Sequence, residues 1–436
     1  MLLGFSCKNF KTYREETVFS MVPDRVRTRP ECLLSASLNE KQVKALPTSV
    51  IYGPNASGKT NIIAGMDFLR CIVLSGNIQN IQNFGSINPV IANPGMAPNL
   101  QNENDPVELA VEFVSQGLKI EYRIGMQLNS KEGVRIGRSP SPRITEERLI
   151  VSDVDVFVRT EEHLEIKLKT IKPFLIDGWD KAALDMAQRN IQKADLFLCN
   201  GFKSLISQKI TEIIIHWFLF SFRTFYSFHQ IHSYPVGIPT GEITPLAAEL
   251  EGAVKCFGIN QNRIAFYRDD QHSGPVKVSF VKNEPIPAVL YESLGTLRFL
   301  DMFPLIMDAF KYGQTLVFDE FDASIHPLAV RNIIGAFHND EVNVNRAQLI
   351  FNTHNPMFLD SNLFRRDEIK FVDRNDETGE SELYQLSNFR NESTNSGKNP
   401  RAYMDNYFVH RYGAIREIDF TPFLRNLNRA ETGEAE

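Results

Sequence analysis

The sequence predicts an α/β fold with a mainly parallel sheet, an antiparallel lobe and a helical insertion. Three observations lead to this prediction. A glycine-rich loop at 53–60 stands between an apolar strand and a helix. Two later apolar segments, 315–318 and 348–351, each end in acidic or polar side chains. The last third of the chain alternates helical and strand-like patterns, as a mainly parallel sheet does.

Composition and charge are those of a globular protein. Hydrophobic residues make up 43% of the chain, and a formal net charge of −6 gives no overall attraction to nucleic acid or anionic membranes. The five cysteines lie far apart without zinc-ligand spacing, so reduced thiols are expected. The start of the chain is unlike a signal peptide, and the most apolar stretch, Ile213 to Phe222, is far shorter than the ~20 residues of a membrane span. These features predict a cytoplasmic protein without membrane contact.

The pattern along the 436 residues predicts three parts. Residues 1–160 hold the glycine-rich loop, several strand-like runs and a helix over Thr60 to Leu74. Residues 161–270 include an aromatic segment, 179–228, with a helical pattern but without the sustained heptads of a coiled coil. Residues 271–436 carry the alternating helices and strands. The middle part is therefore expected to be a mainly helical insertion.

The glycine-rich loop has the sequence GPNASGKT and matches the P-loop pattern G-x-x-x-x-G-K-[ST]. Glycines allow backbone N–H groups to turn toward phosphates, and the helix that follows adds a favourable dipole. Lys59 is expected at the β- and γ-phosphates of ATP, and the Thr60 hydroxyl at Mg²⁺. The predicted nucleotide-binding residues of this loop are Gly53, Asn55, Ser57, Gly58, Lys59, Thr60 and Asn61.

Two strand ends supply the remaining chemistry. The strand 315–318 is followed by Asp319, placed to hold Mg²⁺ through water, and Glu320, placed to activate the attacking water. The predicted metal ligands are therefore Thr60 and Asp319. The strand 348–351 is followed by His354, which can reach the γ-phosphate. Glu320 and His354 are the predicted catalytic residues.

A fourth motif precedes the helical pattern at 297–310. Ser293 can cap this helix, and Gly295 allows close approach of a ligand to the backbone. Two interpretations stay open, a plain helix cap and an anion site at the helix start. In the second, Ser293, Gly295 and Thr296 would grip the γ-phosphate of an ATP molecule held by another copy of the chain. That interpretation predicts a homodimer or a higher oligomer.

The order of these four motifs resembles an ABC-type ATPase head. The form GPNASGKT resembles the SMC, RecF and OLD branch, and the opening LLGFSCKNFKTYRE resembles the first strand of that branch. The resemblance implies that residues 9–13 lie near the nucleotide base and that 321–327 form a D-loop. It covers about 1–130 and 275–420. The signature departs from the family pattern because it lacks the second glycine of the usual Ser-Gly-Gly.

The Q-loop glutamine of the family cannot be assigned from the sequence, and three candidates stay open. They are Gln79, Gln82 and Gln116.

The ending RYGAIREI, 411–418, resembles stand-alone bacterial ATPases of anti-phage and abortive-infection systems such as AbiL, PtuA and AriA. This resemblance implies an ATP-hydrolysing sensor or scaffold subunit that controls a separate effector, a nuclease or TOPRIM protein. No nuclease activity of its own is expected, because the region after His354 lacks the acidic cluster of a TOPRIM domain. The alternatives are a RecF-like DNA-repair ATPase that clamps DNA and a transporter ATPase subunit. Contact with nucleic acid stays possible.

Overall fold

The structure is a computed structural model of the chain. It describes residues 1–24, 29–38, 41–79, 81, 98–128, 142–177, 179–189, 191–225, 242–258, 263–268, 276–389, 402–416, 419–422 and 424–425.

A six-stranded sheet lies at the centre of the fold. In chain order its strands are β5 (Thr48–Tyr52), β11 (Phe222–Phe225), β16 (Thr315–Phe318), β17 (Gln348–Asn352), β18 (Ile369–Arg374) and β19 (Ser381–Gln385). The spatial order is β11-β16-β17-β5-β18-β19, and every pair except β18 with β19 is parallel. All residues of β5, β16 and β17 are buried, which explains why these strands are nearly continuous apolar runs in the sequence.

A seven-stranded antiparallel sheet forms the lobe beside it. Its strands are β1 (Leu2–Lys8), β2 (Thr17–Ser20), β6 (Val107–Ser115), β7 (Leu118–Gln127), β8 (Arg143–Val151), β9 (Val154–Thr160) and β10 (Leu164–Ile166). The spatial order is β10-β9-β8-β7-β6-β1-β2. Burial alternates along these strands because one face packs on the core and the other meets solvent.

Helix α1 (Lys59–Ser75) lies between the two sheets. Of its 17 residues, 13 are buried, so it is apolar on nearly every side. One core cluster joins Ile63 and Phe68 of α1 to Phe113 of the antiparallel sheet and to Val317 and Ile350 of the parallel sheet. This packing places the start of α1 at the carboxyl edge of the parallel sheet.

The remaining elements cover the other face of the parallel sheet and the side of the lobe. The helices are α2 (Lys181–Arg189), α3 (Lys203–Leu205), α4 (Gln208–His216), α5 (Ala248–Cys256), α6 (Leu294–Tyr312), α7 (Pro327–His338) and α8 (Ala402–Phe408). The small sheets are formed by β3 (Leu34–Leu38) with β4 (Lys41–Ala45), and by β12 (Glu242–Pro245), β13 (Arg263–Arg268), β14 (Val276–Val281) and β15 (Glu284–Pro287). A second core cluster packs α6, α7 and α8 against the parallel sheet.

The structure confirms the α/β class, the mainly parallel sheet and the antiparallel lobe. The helical prediction for 179–228 is wrong at β11, which pairs in parallel with β16 at the edge of the central sheet. A short apolar run fits a strand or a buried helix equally well. Here the segment forms a strand because it pairs with β16 at the edge of the sheet. The predicted division at 160 and 270 stays a prediction, but the part between contains β10, β11, β12 and β13 besides its helices.

Candidate nucleotide-binding site

The site lies at the carboxyl edge of the parallel sheet, where β5, β16 and β17 end. Because these strands are parallel neighbours, they bring the P-loop, the acidic pair and the Thr353-His354 pair to one place. Thr60 Oγ1 donates a hydrogen bond to Asp319 Oδ1 at 3.0 Å. The two residues predicted to share one metal ion are therefore in direct contact.

Asn352, the last residue of β17, connects the parts of this site. Its Nδ2 donates to Asp319 Oδ1, and its Oδ1 accepts the backbone N–H of Glu320. Its side chain is buried, and its bond to Asp319 is shielded from water. Sequence reasoning missed this residue because an amide at the end of an apolar strand gives no signal of its own.

The two glycines at the ends of the P-loop are required by close packing. A Cβ at Gly53 would lie 2.2 Å from the carbonyl oxygen of Val372, and a Cβ at Gly58 would lie 2.5 Å from Ser381 Oγ. Gly58 also has a φ of 113°, which other residues rarely adopt. The Ser57 hydroxyl is buried and has no hydrogen-bond partner in the described part of the chain. Such an unpartnered donor inside a phosphate-binding loop fits an anionic ligand.

Lys59 is a largely buried cation inside the loop. Its Nζ donates to the carbonyl oxygens of Gly53 and Pro54, each at 2.8 Å. Burial lowers the pKa of Lys59 to about 8, although the charges of Asp319 and Glu320 act in the opposite direction. Because burial penalises this charge, an anion beside it would be stabilising, which fits the phosphates of a nucleotide. The donor set of the loop therefore suits ATP, and Thr60 with Asp319 suits Mg²⁺.

The turn after β1 packs against the other side of the P-loop. The Tyr13 hydroxyl donates to the carbonyl oxygen of Gly58 at 3.0 Å, and Asn61 Nδ2 donates to Thr12 Oγ1 at 2.9 Å. The N–H of Ser381 donates to the carbonyl oxygen of Thr12 at 2.8 Å. Residues 9–13 thus lie beside the P-loop, while their contact with the nucleotide base stays a prediction. Asn55 is exposed at the tip of the loop.

Glu320 and His354 both lie close enough to the P-loop lysine to interact with its charge. The backbone of Glu320 has a φ of 51°, a strained conformation. Two hydrogen bonds help to hold it, one from the Glu320 N–H to Asn352 Oδ1 and one from Arg298 Nη2 to the Glu320 carbonyl oxygen. His354 is exposed overall, yet desolvation and then the positive charge of Lys59 lower its pKa against the opposing effect of nearby carboxylates. A lowered pKa leaves this imidazole mainly neutral at pH 7, able to donate or accept a proton.

Comparison with known proteins identifies the family. The sequence matches the family described as "AAA domain, putative AbiEii toxin, Type IV TA system" over residues 49–155 and 249–360, which together make up half of the chain. The chain belongs to this family. No curated protein sequence matches it. Among solved structures, it is similar to the SMC head domain from Thermotoga maritima, with 11% identity and a TM-score of 0.36, over 88% of this chain and 98% of that one.

In this AAA-family chain, the signature residues contact their own helix and the turn after Glu320. Ser293 Oγ accepts the N–H of Thr296 at 3.1 Å and so caps α6. A Cβ at Gly295 would lie 2.2 Å from the carbonyl oxygen of Ser324, so this glycine is needed for packing inside one chain. The cap interpretation of Ser293 is therefore confirmed. A second role at the nucleotide of another copy stays a prediction.

The structure does not identify the Q-loop glutamine among the three candidates. Gln79 follows the far end of α1 and donates to the carbonyl oxygen of Pro142 at 3.1 Å. Gln116 lies in the turn between β6 and β7, with a φ of 48°. Gln82 lies outside the described residues.

Two features are absent from the described residues of this AAA-family chain. No helix in this part of the chain is both long and apolar enough to cross a membrane. No cluster of three or more His, Cys, Asp or Glu side chains suited to a metal ion occurs within the same residues.

Proposed function

We propose that this AAA-family chain binds Mg-ATP on its P-loop and hydrolyses it. The observation that carries the proposal is the bonded network of Thr60, Asp319, Asn352 and Glu320 at one edge of the sheet. This network supports the proposal because it brings a hydroxyl, a carboxylate and the backbone of a candidate general base together beside the P-loop. Such an arrangement positions phosphates and a nucleophile with little further chemistry required of the protein.

Each residue has a separate role in the proposed reaction. Lys59 and the loop N–H groups hold the phosphates, and Thr60 and Asp319 would hold Mg²⁺ directly or through water. Bound Mg²⁺ supplies charge neutralisation at the phosphate oxygens. Glu320 orients the attacking water and accepts its proton. His354, neutral at pH 7, contacts the terminal phosphate as a hydrogen-bond donor.

The test is phosphate release by the purified chain and two variants. Lys59→Ala should lose nucleotide binding, because the only charge inside the loop is removed. Glu320→Gln should keep ATP binding and slow turnover by about a hundredfold, the scale of a general base. Glu284→Gln, an exposed residue of β15, is the matched control and should behave as wild type. Equal turnover in Glu320→Gln and wild type would exclude Glu320 as the base.

The proposal includes pairing of two copies through their ATP sites. The exposed start of α6, with Ser293 at its cap, is available for a nucleotide on another copy. Lys59→Ala and Ser293→Arg should each be inactive alone. Mixing them should restore one intact composite site per mixed dimer, and light scattering should show dimers that depend on ATP. Full activity of either variant alone would refute the shared site.

We further propose that the chain is the ATPase subunit of a bacterial defence system and acts on a separate effector protein. The name of the matched family, which refers to a toxin of a type IV toxin–antitoxin system, supports this assignment. The candidate docking surface lies on the segment 181–221, where Met186, Leu219 and Phe220 are exposed by 57%, 38% and 53%. Contiguous apolar patches that meet solvent are typical of interaction sites, and Leu219 and Phe220 are adjacent in the sequence.

Co-expression with the products of adjacent genes tests this assignment. Leu219→Glu with Phe220→Glu should abolish co-purification of the effector and leave the rate of ATP hydrolysis unchanged. Val154→Glu, at the exposed start of β9, is the matched control and should keep the partner. If hydrolysis instead responded to DNA and no protein partner bound, the DNA-clamping alternative would be favoured.

A further inference from the structure

The C-terminal part of the chain returns to the P-loop and forms one wall of a cavity beside it. The cavity has a volume of about 500 Å³. On one side it is lined by the first half of the P-loop and by His354. It is also lined by four residues of the C-terminal part, which are Tyr407, Ile415, Arg416 and Asp419. Its lining residues are Gly53, Pro54, Asn55, His354, Tyr407, Ile415, Arg416 and Asp419.

This C-terminal wall is fixed by specific contacts. The Tyr407 hydroxyl donates to the carbonyl oxygen of Ala414 at 3.0 Å, and the Tyr384 hydroxyl donates to the carbonyl oxygen of Tyr412 at 2.7 Å. The N–H of Ala414 donates to Asp373 Oδ2 at 3.3 Å. Ala414 is fully buried and has a φ of 51°, which turns the chain toward the P-loop. The position of Arg416, two residues later, therefore follows from packing on β18 and β19.

The cavity lies at the end of the P-loop that the terminal phosphate of a nucleotide would occupy. The lysine of a P-loop reaches the β- and γ-phosphates, and Lys59 Nζ lies 2.8 Å from the carbonyl oxygens of Gly53 and Pro54. Both residues line the cavity. His354, which also lines the cavity, is close enough to Lys59 for the lysine charge to act on it. A γ-phosphate held by Lys59 would thus face the wall that carries Arg416.

We propose that Arg416 is a further nucleotide-binding residue, which contacts the γ-phosphate and so distinguishes ATP from ADP. The proposal rests on the proposed function, since it needs ATP in the P-loop. A guanidinium has five N–H donors and pairs well with phosphate oxygens. In this structure Arg416 Nη2 donates to the carboxylate of Asp376 and, at 3.4 Å, to the carbonyl oxygen of Arg374.

The ion pair between Arg416 and Asp376 is weak enough for Arg416 to exchange this carboxylate for a phosphate. The side chains of Arg416 and Asp376 are 43% and 80% exposed, and ion pairs this open to water contribute little to stability. Arg416 can therefore leave Asp376 for a phosphate at small cost. The other acid of the wall, Asp419, accepts the N–H of Thr421 at 2.8 Å with its Oδ1 and so caps the turn that follows. This hydrogen bond partly satisfies the negative charge of Asp419.

Nucleotide affinity of the full chain tests the proposal, measured by displacement of a fluorescent ADP analogue by ATP or ADP with Mg²⁺. Arg416→Gln should weaken ATP about tenfold, the scale of a hydrogen bond to a charged group, and ADP less than about twofold. Arg416→Lys should recover part of the loss. Asp376→Asn should leave ATP affinity equal or higher, since it removes the competing carboxylate. Arg411→Gln, on the same segment but outside the cavity lining, is the matched control and should match wild type.

The outcomes separate this proposal from the proposed function. Lys59→Ala should lose both nucleotides, and this result with an unchanged Arg416→Gln would overturn the role of Arg416 while leaving the P-loop assignment intact. A wild-type chain that bound neither nucleotide would overturn both. Equal weakening of ATP and ADP by Arg416→Gln, or an equal ATP loss in Asp376→Asn, would show that the ion pair only supports the fold. Normal ATP binding with lost dimerisation would assign Arg416 to the contact between copies and overturn the proposal.

Discussion

Replacement of Asn352 by alanine should damage both the stability and the chemistry of the site. The buried amide makes two short bonds, one to Asp319 Oδ1 and one from the N–H of Glu320, besides a longer one of 3.4 Å to Thr60 Oγ1. Asn352→Ala removes both and leaves their partners behind. The carboxylate of Asp319 retains the bond from Thr60, at 3.0 Å. The backbone of Glu320 loses one of the contacts that hold its strained conformation.

The size of the effect follows from these two bonds. A hydrogen bond to a charged group contributes about 1.5–3 kcal/mol, and an N–H left without a partner costs about 1–3 kcal/mol. The N–H of Glu320 is only partly buried and can recover water, so we expect a loss of about 3 kcal/mol in the free energy of unfolding. Freed from its strained φ of 51°, Glu320 should move from the attacking water. Turnover should then fall by about a hundredfold, as when a general base is lost.

Urea denaturation and phosphate release measure the two effects, and Asn343 offers a matched control. Asn343 is buried as well, and its Nδ2 donates to the carbonyl oxygens of Phe337 and Ala347, both at 2.9 Å. Asn343→Ala should lose similar stability and keep normal turnover per folded molecule. If Asn352→Ala, measured where it is fully folded, hydrolysed ATP at the wild-type rate, Asn352 would have no part in placing Glu320.

Two further predictions concern packing and acid stability. Gly295→Ala should destabilise the fold by about 1–3 kcal/mol, because the added Cβ would clash with the carbonyl oxygen of Ser324. Gly252→Ala in α5 is the control: its Cβ would meet open space, so the variant should be neutral or stabilising in the same denaturation assay. Burial alone would raise the pKa of Glu368, but the charge and hydrogen bond of His338 and the bonds from Arg365 N–H and Thr48 outweigh burial and lower it below 4.5. The stability that Glu368 contributes should therefore be present above pH 4.5 and be lost as the pH falls through its pKa in the folded protein. The variant Glu368→Gln should show a smaller loss of stability over this pH range. Equal acid unfolding of the variant and the wild type would contradict the assignment.

The sequence was sufficient for the P-loop and for the acidic strand end. The P-loop motif follows an apolar strand, and the acidic pair follows another one directly. Parallel strands bring such ends together without further information. Thr60 is accordingly hydrogen-bonded to Asp319, and Lys59, the residue before it, is bonded to carbonyl oxygens of the P-loop. The packing role of Gly295 against Ser324 was not predicted, because it depends on how α6 meets a turn that lies 29 residues further along the chain.

Residues that act through distant partners were not predictable in this way. Asn352 ends a strand like many others, and only the neighbouring strand shows that its amide reaches Asp319. Arg416 stands 363 residues after Gly53 in the chain, and only the turn at Ala414 brings it to the cavity beside the P-loop. Periodicity and local motifs carry no information about such pairings. These pairings depend on the topology of the sheets, which local patterns do not show.

The same topology determines how the middle of the chain can be tested. β11 extends the parallel sheet beside β16, and the carbonyl oxygen of Phe225 accepts the N–H of Asp319 at 3.1 Å. The Thr224 hydroxyl donates to Asp67 on α1, and Arg70 Nε donates to the carbonyl oxygen of Phe222 at 2.9 Å.

Deletion of 161–270 would therefore remove a neighbour of the acidic strand and two anchors of the P-loop helix. Loss of hydrolysis after such a deletion would say nothing about a partner. Substitution of the exposed Leu219 and Phe220 avoids this problem, since these side chains meet solvent while the strand behind them stays in the sheet. The two side chains are close in sequence to the carbonyl oxygens that hold Arg70, so a partner bound there would contact an element joined directly to α1.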